Sequence, residues 1–250
     1  MPTLPKGIFI TGTDTGVGKT VVTSALGSLL KLSGLIVIPF KPIQTGTKLD
    51  ATLDIEFIQK VMGTDYLVDT VCPYRFTEPL APMVAAEIDR EKIEIGKIIE
   101  VFNDLCSLAD IVLVEGAGGL VVPINDNYYM ADLALELGLE LIIVIRPGLG
   151  TLNHTLLTTK YAKSKGLRIL GLVINNYPTI PSIDERTNPE MILKMTNEQI
   201  IGILPHDPEI SAEEGGISKI RELAVSSFTP EFGGTFDLNE FLAQVKGPAS

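Results

Sequence analysis

The sequence predicts an α/β fold: a mostly parallel sheet, buried on both faces, with helices packed against each side. Three observations carry that prediction. Short, β-branched and almost wholly apolar runs recur along the chain, and a strand that is apolar at consecutive positions has no solvent-facing side. Segments with helical spacing separate these runs, as a parallel sheet with crossover helices requires. Polar and glycine-rich clusters follow several of the runs, at the carboxyl edge where such sheets bind ligands.

Each element has its own signal. Residues 8–11 read as the first strand. Residues 20–31 follow as a helix, with Val22, Leu26, Leu29 and Leu30 on one face and Gly34 just beyond as a C-cap. Residues 35–40 form a second strand and 54–62 a helix. Prolines put turns at 73–82. A helix covers 91–108, and the nearly all-apolar run 110–114 is the third strand. Residues 131–137 are helical and 141–145 the next strand. A helix over 151–165 leads into the strand 169–174, and 200–204 is the last core strand. Residues 237–245 close the chain as a small helix with Asp237 as its N-cap. Residues 176–190 and 207–234 read as loops, from their Pro, Gly and acidic content. No internal repeat appears, and residues 1–250 read as one domain.

Composition narrows the function. The chain has 250 residues and is 45% hydrophobic, ample for one large core. Its 20 basic and 31 acidic residues give a net charge of −11, which disfavours nucleic acid and anionic membrane as partners. Cys72 and Cys106 lie far apart, outside any metal-ligand spacing, and read as reduced thiols suited to the cytoplasm. The opening MPTLPKGIFITG lacks the features of a signal peptide. The longest apolar run, 139–145, is far shorter than the ~20 residues of a membrane span.

The strongest chemical signal is Gly12-Thr13-Asp14-Thr15-Gly16-Val17-Gly18-Lys19-Thr20, placed after a strand and before a helix. Gly16 and Gly18 permit positive φ, so backbone N–H groups can approach phosphate oxygens. The helix N-terminus adds a favourable dipole. Lys19 can reach the β- and γ-phosphates, and the Thr20 hydroxyl can ligate Mg²⁺. This phosphate-loop NTPase-like pattern departs from the common one at a single point. The usual four-residue spacing would put glycine at 13, but Thr13 stands there and Gly12 precedes it.

Other strand ends carry further candidates. Lys41, in Lys41-Pro42-Ile43-Gln44-Thr45-Gly46, reads either as a second cation for a transferring phosphoryl group or as a surface lysine in a turn. Glu115, in Glu115-Gly116-Ala117-Gly118-Gly119, reads either as a carboxylate holding Mg²⁺ or its water, or as a strand-terminal acid beside a flexible turn. Asp54 is a second Mg²⁺ ligand or a helix cap, and Asp50 competes for the metal role. The loop from Gly148 to His154 opens another helix and offers a carboxylate site by the dipole argument. His154 reads as structural, and His206 as a wall of a base pocket.

Taken together, GTDTGVGKT, KPIQTG, EPLAP, LVEGAGGL, LGTLNH and GLVINN resemble the dethiobiotin synthetase family over roughly residues 7–206, including the five-residue loop spacing. The resemblance implies an ATP-dependent cyclo-ligase of biotin synthesis. One amine of 7,8-diaminononanoate takes up CO₂ (from bicarbonate) as a carbamate, MgATP phosphorylates it, and the neighbouring amine closes a cyclic urea with release of ADP and phosphate. By resemblance Lys19, Lys41 and Thr15 serve the reacting end. Gly16, Val17, Gly18, Lys19, Thr20, Val21, Asp54, Glu115, Gly116, Ala117, Gly118, Asn175, Asn176, Pro205 and His206 match nucleotide-site positions, Asn175 as the reader of adenine. Thr20, Asp54 and Glu115 match the Mg²⁺ sphere. Thr45 and Gly118 line the diamine. The family is a homodimer whose substrate site lies at the interface, so Thr151, Leu152 and Asn153 serve the partner's site. Where some members carry an acid at position 16, this chain has Gly16.

Two rivals are disfavoured by sequence. Partitioning-type switch ATPases carry K-G-G-x-G-K-T, and Asp14 stands where their extra lysine belongs. A cobyrinate-type amidoligase needs a glutaminase domain, for which 250 residues leave no room. The absence of a Ser/His/Asp or Cys/His set is no objection, because carbamate formation and phosphoryl transfer need positioning and electrostatics rather than a protein nucleophile.

Overall fold

In the computed structural model, which describes residues 7–47, 52–228, 235, 237 and 240, strands and helices alternate from Gly7 onward. β1 (Gly7–Gly12) leads into α1 (Lys19–Leu32), followed by β2 (Val37–Phe40), β3 (Ile43–Thr45), α2 (Asp54–Met62) and the single turn α3 (Val68–Val71). β4 (Tyr74–Phe76), α4 (Pro82–Asp89) and α5 (Ile95–Leu108) precede the long β5 (Ile111–Gly119). The hairpin β6 (Pro123–Asn125) and β7 (Tyr128–Tyr129) runs into α6 (Met130–Glu136), then β8 (Glu140–Ile145) and α7 (Thr151–Ser164). β9 (Ile169–Tyr177), α8 (Ile183–Thr196), β10 (Ile200–Pro205) and α9 (Ile220–Ser227) complete the described elements.

Six strands form the central sheet in the order β10-β9-β8-β1-β5-β2, and every pairing in it is parallel. Alternate side chains enter two separate cores. Phe9, Val112, Val114, Leu141, Ile143, Leu172 and Ile174 point to one face, where Phe102 and Leu105 of α5, Leu133 of α6, Ala162 of α7 and Ile192 of α8 cover them. Ile8, Ile10, Leu113, Ile142, Val144 and Val173 point to the other, under Val22, Leu26 and Leu30 of α1, Phe57 and Val61 of α2, and Ala224 of α9. The continuous apolar runs thus have a direct cause: both faces of each strand are dry. Burying one such side chain contributes roughly 1.5–3 kcal/mol.

The structure corrects several expectations. Residues 176–190 are not loop throughout, because α8 begins at Ile183. Its signal is weak: one narrow stripe of Asn188, Ile192 and Thr196 is buried, and Pro189 interrupts the sequence. The start is nonetheless well made, since the Glu185 carboxylate accepts the Ser182 N–H at 2.8 Å. The stretch 207–234 contains α9. The 73–82 turns hold β4, which pairs with β3, and Pro82 opens α4 as its first residue. The 91–108 helix begins only at Ile95. Asp50 and most of the closing helix 237–245 lie outside the described residues. Cys72 and Cys106 form no disulfide, and no helix among the described residues is long and apolar enough to cross a membrane.

Candidate active site

The loop after β1 is anchored by the Thr13 N–H, which donates to the Val144 carbonyl of β8 at 3.0 Å. Glycine at position 12 has a packing reason. A Cβ there would stand 2.6 Å from Val17 Cγ2, because the loop folds back over its own start. Gly16 and Gly18 take φ of 74° and 89°, as their place in a phosphate loop predicts. The Lys19 ammonium folds onto the Asp14 carbonyl at 3.2 Å. Burial, and then the charge of Lys41, push it down to about 8.

Lys41 is a buried group, not a surface lysine. It follows β2, and its backbone N–H donates to the Val71 carbonyl of α3 at 2.8 Å. Its ammonium sits between Asp54 Oδ2 at 2.8 Å and Glu115 Oε1 at 2.5 Å. Burial alone would depress it, but Asp54 and then Glu115 outweigh that effect and hold it above the ordinary lysine range. Asp54 is the first residue of α2 and not its cap. The Leu53 N–H is instead accepted by Glu56 at 3.1 Å. Burial tends to raise the Asp54 carboxyl, yet Lys41 together with Thr20 and Lys19 lowers it overall.

Glu115 lies within β5, opposite Ile10 of β1, because this strand runs five residues past the apolar stretch. It is 1% exposed. The Thr20 hydroxyl donates to its Oε1 at 3.1 Å, while its buried Oε2 has no partner among the described residues. Asp54 and Glu115 therefore bring hard oxygens together around one cation, here the Lys41 ammonium, with the Thr20 hydroxyl bonded to Glu115. No group of three or more His, Cys, Asp or Glu forms a metal site among the described residues. Two carboxylates, a hydroxyl and an orphaned carboxylate oxygen are nonetheless a set that fits Mg²⁺, which usually takes its remaining ligands from water and phosphate.

The other predicted positions sort into groups. Gly118 neighbours Thr15, since a Cβ built on it would lie 3.6 Å from Thr15 Oγ1. Ala117 beside it is half-buried, and Gly116 backs onto Phe9. Thr45 ends β3, and the following Gly46 packs on Pro79 of the EPLAP segment. Asn175 is buried, and its amide donates to the Val17 carbonyl at 3.0 Å. Asn176 is exposed, with φ of 58°. The His206 N–H donates to the Tyr177 carbonyl at 2.8 Å, so Pro205 and the exposed His206 stand beside the end of β9. Thr151, Leu152 and Asn153 form the first turn of α7, beyond Gly150. They do not line the cleft of about 500 Å³ beside Thr15. That cleft takes Leu157, Thr158 and Tyr161 from later in α7, with Val121 and Val122 opposite.

Sequence reasoning missed these α7 residues, and also Arg146. The Arg146 guanidinium pairs with Asp14 at 2.5 Å, tying the phosphate loop to the end of β8. Its signal was present, since it directly follows an apolar strand just as Lys41 does. The backbone N–H of Thr15, and the Arg146 charge beside it, keep the Asp14 carboxyl below its ordinary range.

A family model described as AAA domain matches residues 6–214. The chain is 39% identical over 201 residues to the ATP-dependent dethiobiotin synthetase BioD of Bacillus licheniformis, spanning 80% of this chain and 86% of that protein. To the protein of that name from Anaeromyxobacter sp. (strain K) it is 38% identical over 217 residues, spanning 86% and 96%. Among solved structures, a chain of the MinC:MinD cell division protein complex from Aquifex aeolicus matches with a TM-score of 0.58 at 16% identity, covering 93% of this chain and 98% of that one. The last likeness concerns the fold alone.

Proposed function

The chain belongs to the ATP-dependent dethiobiotin synthetases, and from that premise we propose how its own residues run the reaction. It is the ATP-dependent cyclo-ligase of biotin biosynthesis, acting on 7,8-diaminononanoate and CO₂ as one synthetase domain. One amine adds to CO₂ and loses a proton, leaving a carbamate. A carbamate oxygen takes the γ-phosphoryl group of ATP and releases ADP. The second amine attacks the carbamoyl carbon, phosphate departs, and the five-membered urea closes with loss of a proton.

The observation that carries this reading is the buried Lys41 ammonium held between Asp54 and Glu115, on the carboxyl edge of the sheet beside the phosphate loop. A carbamate anion must meet the negatively charged γ-phosphate in this reaction, and the buried Lys19 and Lys41 supply fixed positive charge there. Thr15 and Gly118 border the reacting end, and Thr45 lines the diamine. The loop from Gly16 to Val21 cradles the phosphates, with Glu115 to Gly118 beside them. Asn175, Asn176, Pro205 and His206 surround the base. Thr20, Asp54 and Glu115 would hold Mg²⁺, which would supply positive charge to offset that of the phosphates.

A homodimer completes the site, with Thr151, Leu152 and Asn153 at the first turn of α7 receiving the partner's substrate. The exposed Leu157 and Val121 beside the cleft support that arrangement. The test is phosphate release from MgATP and bicarbonate. Release should depend on the diamine. Release without it would overturn the reading and favour a switch ATPase.

A further inference from the structure

Asn175 has a second task, which rests on the reading that the loop from Gly12 to Thr20 holds the nucleotide phosphates. The asparagine is 2% exposed near the end of β9, and its amide donates to the carbonyl of Val17, 158 residues away in sequence. It also lies directly over Gly18, where an added Cβ would fall 1.9 Å from its Nδ2. Gly18 is the N-cap of α1 at φ 89°, and no side chain caps that helix. Only glycine adopts such a φ without strain, so this part of the loop has little conformational preference of its own. Its shape must be imposed from outside.

We propose that Asn175 is a positioning residue for the phosphate loop: its amide fixes the Val17 carbonyl, and its bulk seals the Gly18 turn, so that the N–H groups of residues 16–20 point at phosphate before any nucleotide arrives. The alternative is that Asn175 touches only the base. The two differ for a ligand that has no base. A buried carbonyl left without its donor relaxes toward water or another partner, which loosens the loop and raises the entropy lost on binding.

Two variants separate these cases. Asn175→Leu keeps the branched shape without the polar amide that donates to Val17, and Asn175→Ala removes the bulk as well. The first readout is hydrogen exchange in the nucleotide-free protein, where residues 14–20 should exchange several-fold faster in both variants while the central strands keep their protection. The second is calorimetric titration with ATP and with inorganic tripolyphosphate. Both affinities should fall together, by roughly three- to tenfold, as expected for one hydrogen bond. A loss confined to ATP, with loop exchange unchanged, would overturn the proposal and leave Asn175 as a reader of the base alone. Exchange that rises across the whole sheet would also overturn it, by showing a general structural role. If the unaltered protein binds neither ligand, the underlying reading of the loop fails instead.

Discussion

Replacing Lys41 with methionine tests the centre of the site without any need for substrate. The variant keeps the aliphatic stem and removes the ammonium that lies 2.8 Å from Asp54 and 2.5 Å from Glu115. Removing one partner of a buried ion pair costs about 3–5 kcal/mol, because the remaining charge is uncompensated. Glu115 cannot escape, with 1% of its side chain exposed, whereas Asp54 keeps 31% and can turn toward water. The lower end, about 3 kcal/mol, is therefore expected. For a domain of this size that is a fall in Tm of about 6–12 °C. The deficit should be larger at pH 8 than at pH 5. Without Lys41, burial is left to raise the Asp54 carboxyl, which then binds protons more tightly in the folded chain than in the unfolded one, so stability falls as pH rises through that window. Mg²⁺ should then do what the ammonium did. At ten times its Kd a cation adds about 1.4 kcal/mol, and the unaltered protein, whose lysine competes for the same oxygens, should respond less. The assay is differential scanning calorimetry across pH, with and without MgCl₂, together with turnover. A variant that melts with the parent, or responds identically to Mg²⁺, would refute the account of this cluster. Full turnover would remove the catalytic role of Lys41.

Further expectations follow from single positions. Gly18→Ala meets both a left-handed φ of 89° and a collision with Asn175, so ATP binding measured by calorimetry should drop by at least tenfold, of which the backbone strain alone accounts for about 1–2 kcal/mol. With Lys19 pushed down to about 8, the free protein loses that charge above pH 8, and ATP should bind more weakly there with net proton uptake, seen as a buffer-dependent binding enthalpy. The same shift acts on stability in the opposite sense to a raised lysine: between about pH 8 and the ordinary lysine value the unfolded chain holds more protons, so the Lys19 contribution to stability rises with pH. Burial pushes the Cys72 thiol up to about 12, and iodoacetamide at pH 8 should leave it unmodified in the native protein while labelling it in urea, as peptide mass spectrometry would show.

Much of the fold was legible because both faces of the central sheet are dry. Strands such as 141–145 carry no polar alternation, and α2 was placed at its observed bounds of Asp54–Met62. The misses share a cause. α8 buries only a thin stripe and contains Pro189, so neither period nor propensity marks it. β4 is three residues long and exists because β3 offers it an edge to pair with. Glu115 and Asn175 were read as lying at or beyond strand ends, but the strands extend past them under the pull of parallel neighbours.

Local chemistry was determined by the sequence alone: a strand, glycines, Gly-Lys-Thr and a helix make a phosphate loop wherever they occur together, because each acts on its immediate neighbours. Which distant groups answer that loop was decided only in three dimensions. β1 lies between β5 and β8, and this order sets Glu115 beside Thr20 and Arg146 beside Asp14. Asp54 reads from its local sequence as a helix cap ahead of a ligand, and only the fold puts it inside α2 and against Lys41, while Asn175 has no visible link to Val17 across 158 residues. Such contacts depend on strand order and register, which arise from the burial of the whole sheet and not from the pattern of any one segment.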